Sequence, residues 1–452
     1  MALRAATLFC SNSNQVSTKH NRTQPLPALA CAGLVVSIFL LVGVFRFHST
    51  GFGGHFGGEA DLFFVSDARE YRAIADYLYG GTVQAPSLDL LSLRTLGYPV
   101  FLGLYRWVGI ACFQLLQLAL EALTIGALTH SLFRHIGWFA AIAGVVLTAL
   151  PSPTFLCYRA LSEPLSIALA CLFLSALLNR SLKQHWAILL LGCLCIVKPS
   201  FQPALLVGLL ALVMVWVRAH QRQLARTKRT VARSLLFGVV PLLFQWGITA
   251  AIVGKPLLNS AAALNFEWRF FPAMAAEAEL HDWRLGAYST DFAKQKRQAV
   301  QGVDQVFYLL GHPKATARGY YRILVEEHLT RASSHVQTEP GASFKPSPSQ
   351  HRAQQKLRET SRKLNRWMAV CHVLFLPIAL VMLRATRTTT ALRIASYAWW
   401  IALSIIVTAP LVYWQGDRVI VAAVPFWATC YAIWLYALVL RGKALVVRVR
   451  SR

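Results

Sequence analysis

Asp67 and Glu70, in the run Ser66, Asp67, Ala68, Arg69, Glu70, Tyr71, are the first residues whose type and spacing suit chemistry. A carboxylate held within hydrogen-bond reach of a hydroxyl can take its proton. The same spacing also writes a helix start, with Asp67 as cap and Glu70 three residues on completing a capping box, and spacing alone leaves both readings open. Glu163 follows Arg159 by four residues, a separation at which helical side chains pair, and it lies between the helix-start residues Ser162 and Pro164. It either serves that start, or positions an acceptor or assists Asp67. Lys198 and Arg418 sit where apolar runs end, either to hold an anion or to snorkel toward headgroups, and Asp417 beside Arg418 can neutralise it. Arg94 is a further cation of this kind. Glu121 lies deep in an apolar run among Gln114, Gln117 and Thr124, as an interhelical hydrogen-bonding group or as a carboxyl that suits a proton-coupled transporter. No His-Glu-x-x-His, paired Cys-x-x-Cys, Walker or dinucleotide-binding pattern stands in a convincing context.

The elements that must position these residues are membrane helices. Of the 452 residues, 56% are hydrophobic and 14% charged, against about 45 to 50% and about 25% in an average soluble domain. A helix needs about 20 apolar residues to cross a bilayer. About ten runs approach that length: 27 to 45, 109 to 133, 137 to 153, 160 to 178, 186 to 198, 201 to 217, 232 to 253, 367 to 383, 394 to 412 and 419 to 440. The net charge of +26 would suggest nucleic acid in a soluble chain. Threading the runs alternately from a cytoplasmic N-terminus instead puts 20 Lys and Arg and no Asp or Glu on the cytoplasmic side, as the positive-inside rule requires. The basic runs 226 to 229 and 448 to 452 then read as contacts to anionic lipid rather than to nucleic acid. Eight of the nine Cys lie in or beside apolar runs and read as small packing residues. Residues 1 to 26 are polar and show no cleavage site, so the first run reads as a retained anchor.

Two outer segments exceed a turn. In the first, 46 to 95, a Gly-rich stretch (51 to 58) leads to an amphipathic helix over Asp67 to Gly80, with Ala68, Tyr71, Ala75 and Leu78 on one face, expected to lie along the outer membrane surface. Leu96 to Val108 is apolar but broken by Gly97 and Pro99 and is short for a span, which predicts an interfacial or re-entrant piece. The second segment, 254 to 366, has helical periodicity over Asp291 to Leu310 and Ala315 to Ala332, and its stretch 333 to 350 has the composition of a linker. Its apolar content is thin for an independent domain, so it is expected to cap the outer helix ends.

The order of features along the first half resembles the multi-span GT-C glycosyltransferases. Asp67 with its helix comes first, then Leu96 to Gly103 (Leu-Gly-Tyr-Pro-Val-Phe-Leu-Gly). Arg159 to Leu165 (Arg-Ala-Leu-Ser-Glu-Pro-Leu) and Lys198 to Ser200 (Lys-Pro-Ser) follow. The likeness is nearest to family 39, which includes the protein O-mannosyltransferases and the aminoarabinose transferases of lipid A. Gly416 to Phe426, with Arg418, looks like that family's Arg-containing element before the last helix. The motifs are short, and they cover residues 27 to 217 well and 410 to 440 loosely. Where the mannosyltransferases carry an adjacent Asp-Glu pair, Ala68 here follows Asp67 and Glu70 comes a turn later.

The resemblance implies inverting transfer of a sugar from a polyprenyl-phosphate donor to an acceptor hydroxyl on a lipid, glycan or protein, at the outer face of the inner (plasma) membrane. It assigns Asp67 as general base, assisted by Glu163. Glu70, Tyr98, Arg94, Arg159, Lys198 and Arg418 become substrate-binding candidates, the cations meeting the departing lipid phosphate. Some relatives use a divalent cation, for which few clustered acidic residues are present. The expected fold is all-α and integral to the membrane. A cytoplasmic segment (1–26) leads to a membrane module (27–253) carrying the catalytic outer loop, then the cap (254–366), the C-terminal membrane helices (367–440) and a basic cytoplasmic tail (441–452). The rival functions are a transporter or flippase and a polymerase or ligase of lipid-linked glycans.

Overall fold

The computed structural model describes residues 58–63, 66–81, 84–149, 160–179, 184–221, 224–256, 265–329, isolated positions between 347 and 367, 390–411 and 421–450. Helices account for the regular structure, and there is no strand among the described residues. In chain order the first elements are α1 (Ser66–Leu78), α2 (Leu88–Leu93) and α3 (Gly97–Leu102). The first apolar elements are α4 (Ile110–Ile136), α5 (Ala140–Ala149), α6 (Ser162–Leu178), α7 (Gln184–Val197), α8 (Gln202–Gln221) and α9 (Ala225–Val253). A cap follows, with α10 (Phe271–Leu280), α11 (Trp283–Tyr288), α12 (Thr290–Ala299), α13 (Val303–Gly311) and α14 (Pro313–Arg322). Two long helices close the chain, α15 (Thr390–Thr408) and α16 (Val424–Arg450).

Four helical stretches among the described residues are long and apolar enough to cross a membrane: Ile110–Thr148, Pro199–Gln221, Thr227–Val253 and Ala391–Leu411. That is fewer than the ten or so runs read from the sequence, and the shortfall has identifiable origins. The run 27 to 45, and all of 367 to 383 but Trp367, lie outside the described residues. The runs 109 to 133 and 137 to 153 meet at Gly137, whose φ of 57° is open to glycine and turns α4 into α5 without separating their 39-residue apolar stretch. Ser162–Leu178, His185–Val197 and Val424–Leu440 are apolar but shorter than a full crossing.

Apolar burial explains how the helices assemble. Residues of α4, α5, α6, α7, α15 and α16 share one core, in which Trp399, Phe426, Trp427 and Trp434 are fully enclosed. By contrast α8 and α9 turn Leu206, Leu210, Leu236 and Phe244 outward, as helices facing lipid do. Small residues let α7 and α9 approach: a Cβ on Gly192 would stand 2.8 Å from the Gly238 carbonyl oxygen.

The loop and cap build smaller cores on this bundle. α1 buries Ala68, Tyr71 and Ala75, as the periodicity predicts, against Tyr98, Leu102, Phe113 and Leu165. That apolar floor is supplied by α3, α4 and α6. Leu96 to Val108 forms α3 and a short turn at Tyr105–Val108. In the cap, the predicted helix from Asp291 to Leu310 is broken by Gly302, with φ of 56°, into α12 and α13. The cap core gathers Phe271, Met274, Trp283, Leu309 and Ile323, with Leu411 from beyond α15 packed on it. Most of the linker stretch 333 to 350 lies outside the described residues.

Candidate functional site

α1 begins at Ser66, which places Asp67 in the first turn with Glu70 and Tyr71 one turn along. Arg94 comes from the end of α2, where its extended backbone stops the helix. Its guanidinium reaches both acids: Nη2 donates to Asp67 Oδ1 and Nε donates to Glu70 Oε2, each at 2.5 Å. The two carboxylates thus converge on one fork-shaped cation. Arg94 also stands 5.4 Å from the centre of the Tyr71 ring. Asp67 is 2% exposed. Burial by itself works to lower the Arg94 pKa; the phenol of Tyr71 and the charges of Asp67 and Glu70 outweigh it and hold the guanidinium above its ordinary value.

A second ion pair lies in the membrane module. Glu163, in the first turn of α6, accepts from Lys198, which follows α7, at 2.6 Å. The Glu163 side chain is fully buried and that of Lys198 nearly so. Arg159, the neighbour expected to pair with Glu163, lies outside the described residues. The observed partner stands 35 positions downstream, because α6 and α7 run antiparallel and bring these ends together.

Two hydrogen bonds join the pairs through sequence neighbours. Tyr71, four residues after Asp67, donates from its hydroxyl to Ser162 Oγ at 3.4 Å, beside Glu163. Thr95, next to Arg94, donates to the Val197 carbonyl at 3.4 Å, beside Lys198. The approach depends on Gly97, where a Cβ would stand 2.6 Å from the Ile196 carbonyl oxygen. The Leu96 N–H donates to Gln245 Oε1 of α9, which anchors the same junction to another helix.

The structure thus brings together Asp67, Glu70, Arg94, Glu163 and Lys198 among the residues singled out by sequence. Tyr98 is fully buried and donates to Gln117 Oε1 at 2.9 Å, with its ring edge-on to Tyr71 at 5.0 Å. That geometry makes it a strut between α3 and α4. Glu121 continues the face of Gln114 and Gln117 into the bundle and is also fully buried. Arg418 and Asp417 lie outside the described residues.

Spacing in the sequence did not single out the bridging pair Tyr71 and Ser162, nor Thr95. It also missed the brace on the far side of α1, where Asp76 accepts from Tyr105 at 2.6 Å and from Arg106 at 2.9 Å. The one legible signal there is the spacing of Arg72 and Asp76, which do pair at 3.3 Å.

Chemically, the cluster offers two buried carboxylates, each held beside a cation, with a phenol and two hydroxyls between them. Such a set can take up a proton and can hold an anion. No three His, Cys, Asp or Glu side chains gather for a metal among the described residues. Comparison with protein-family models, with curated proteins and with solved structures found no match.

Proposed function

We propose that this chain is a membrane glycosyltransferase of GT-C type, moving a sugar from a polyprenyl-phosphate donor to an acceptor hydroxyl. The observation that carries the reading is the convergence of Asp67–Arg94 and Glu163–Lys198 where α1 and the end of α2 meet the apolar helices α6 and α7. Such a junction pairs proton acceptors with cations, as an alcohol nucleophile and a phosphate leaving group require.

In this reading the donor phosphate draws Arg94 toward itself, since a guanidinium fork suits phosphate as well as carboxylate. Asp67 is then available to the acceptor. The hydroxyl oxygen attacks the anomeric carbon from the face opposite the phosphate, and its proton passes to Asp67. The bond from the anomeric carbon to the phosphate oxygen breaks, and its electron pair stays on the lipid phosphate, where Arg94 stabilises the charge. Glu163 keeps Lys198 at the edge of the same site. The positive-inside count would put this junction at the outer face of the plasma membrane, with both termini cytoplasmic.

The test is incubation of purified protein with a radiolabelled polyprenyl-phosphate sugar and crude membranes as acceptor. Labelled product together with free lipid phosphate, both lost in Asp67→Asn, is the expected result. Transfer at the wild-type rate by Asp67→Asn would refute the mechanism. A second reading, a proton-coupled transporter, draws on the buried Glu121 beside Gln117; it predicts uptake into proteoliposomes that depends on Glu121 and no covalent product.

A further inference from the structure

α13 is an amphipathic helix mounted with its apolar side outward. Val303, Val306, Phe307 and Leu310 fall at three- and four-residue spacing on one face, and they are 68, 45, 64 and 68% exposed. The inward face holds Leu309, the partly buried Tyr308 and the polar Gln305, which is 2% exposed. Gln305 Nε2 donates to the Val300 carbonyl at 3.1 Å. An aqueous surface would favour the opposite rotation of this helix.

The position of the stripe points to what covers it. α14 follows α13 after the single residue His312. Tyr320 of α14 donates to the Val407 carbonyl in α15, and Leu411 packs on the cap core. These contacts fix the hairpin of α13 and α14 to one end of Ala391–Leu411, one of the stretches able to cross a bilayer. The helix that carries the apolar stripe therefore belongs to a hairpin anchored at the end of a candidate span, the level at which headgroups meet acyl chains. Along α14 the exposed residues include Lys314, Tyr321 and Arg318, the last also 3.7 Å from Glu277 through Nε, a basic and aromatic set suited to anionic headgroups. Asp304 is the acidic exception, at the start of α13. A second copy of the chain fits less well: a stable protein interface takes about 800 Å² from each partner, more than one face of a nine-residue helix offers.

We infer that the cap binds the bilayer: α13 inserts Val303, Val306, Phe307 and Leu310 at the boundary between headgroups and acyl chains, while Lys314 and Arg318 meet anionic phosphate. The cap is then held both by α15 and by lipid. This inference does not depend on the proposed sugar transfer.

The experiment uses the full chain in nanodiscs of phosphatidylcholine with phosphatidylglycerol. A benzophenone amino acid replaces, one at a time, Phe307, Asp304 and Leu210, the last an outward residue of the candidate span Pro199–Gln221. After irradiation, mass spectrometry should find lipid adducts at positions 307 and 210 and several-fold less at 304. Adducts at 210 alone would overturn the inference, as would a product at 307 joining two copies of the chain. Omitting phosphatidylglycerol should lower the yield at 307 several-fold, and an unchanged yield would remove the headgroup half of the proposal.

Discussion

Asp67 and Arg94 touch at 2.5 Å, yet substitution of each should have effects of different size on different quantities. Asp67→Asn keeps a carbonyl oxygen where Oδ1 stands, so Arg94 retains an acceptor and a charge-assisted hydrogen bond becomes an ordinary one. That exchange costs about 1 to 2 kcal/mol of stability. Arg94→Leu leaves the Asp67 carboxylate, 2% exposed, without the guanidinium, and breaking a buried pair in this way costs about 3 to 5 kcal/mol. Glu70 is a control on the same cation: its side chain is 36% exposed, so water screens its pairing, and Glu70→Gln should cost under about 1 kcal/mol. Transfer should follow a different order. Loss of the general base should slow turnover about 100- to 10,000-fold in Asp67→Asn, although that variant is more stable than Arg94→Leu. The assays are thermal unfolding in detergent and release of lipid phosphate from the labelled donor, on the same preparations. If Asp67→Asn is as unstable as Arg94→Leu, or if its turnover falls only in proportion to its folded fraction, Asp67 is a structural partner of Arg94 and the catalytic reasoning fails.

The other expectations concern the junction and the cap. Lys198→Met should destabilise by about 3 to 5 kcal/mol by stranding the buried Glu163 carboxylate, and adding Glu163→Gln should recover most of that loss in a double-mutant cycle. Additive losses would mean the pair is not coupled. Gly97→Ala should cost about 1 to 3 kcal/mol and impair transfer, because its Cβ would collide with the Ile196 carbonyl and push α3 off α7; a neutral result in both assays would contradict the close approach. In the cap, burial pushes the Glu279 pKa up, but hydrogen bonds from Lys296 and Tyr308 outweigh it and hold the carboxyl below its usual value. Its contribution is therefore full above the ordinary carboxylate range and lost as pH falls through the depressed pKa. Screening at this partly exposed site keeps it under about 1 kcal/mol. Glu279→Gln should flatten the acid limb of cap resistance to proteolysis, and an acid limb identical to wild type would count against the pairing.

Where an element is set by local pattern, the sequence is legible. The face of α1 through Ala68, Tyr71 and Ala75 is buried as its period predicts, since a three- and four-residue repeat fixes which side chains share a side. The same period does not say what that side meets. Read alone, α1 suits a membrane surface; the floor of Tyr98, Leu102, Phe113 and Leu165 that covers it comes from three other elements. The acidic and basic residues of the junction were visible as types at helix ends, but their pairing was not. Glu163 has a plausible partner four residues away in sequence, whereas its observed partner, Lys198, is delivered by the antiparallel return of α7. Arg94 likewise reads as one more cation near a helix end until the packing of α2 against α1 places it on Asp67 and Glu70.

α13 shows why rotation, too, escapes a sequence reading. Its moment is evident, and burial would ordinarily turn Val303, Val306, Phe307 and Leu310 inward. Gly302 breaks the helix just before it, with a φ of 56°, and the Val300 carbonyl at that break accepts from Gln305. That hydrogen bond favours the rotation that keeps Gln305 inward, by about 1 kcal/mol. Leu309 and Tyr308 then fill the cap side, and the larger apolar stripe is left facing out. In water that arrangement would be unfavourable; beside the end of α15, lipid can compensate the exposure. On the inference that the cap binds the bilayer, the cap's fold should loosen when the protein is moved from nanodiscs into short-chain detergent, and unchanged resistance of the cap to proteolysis would contradict it.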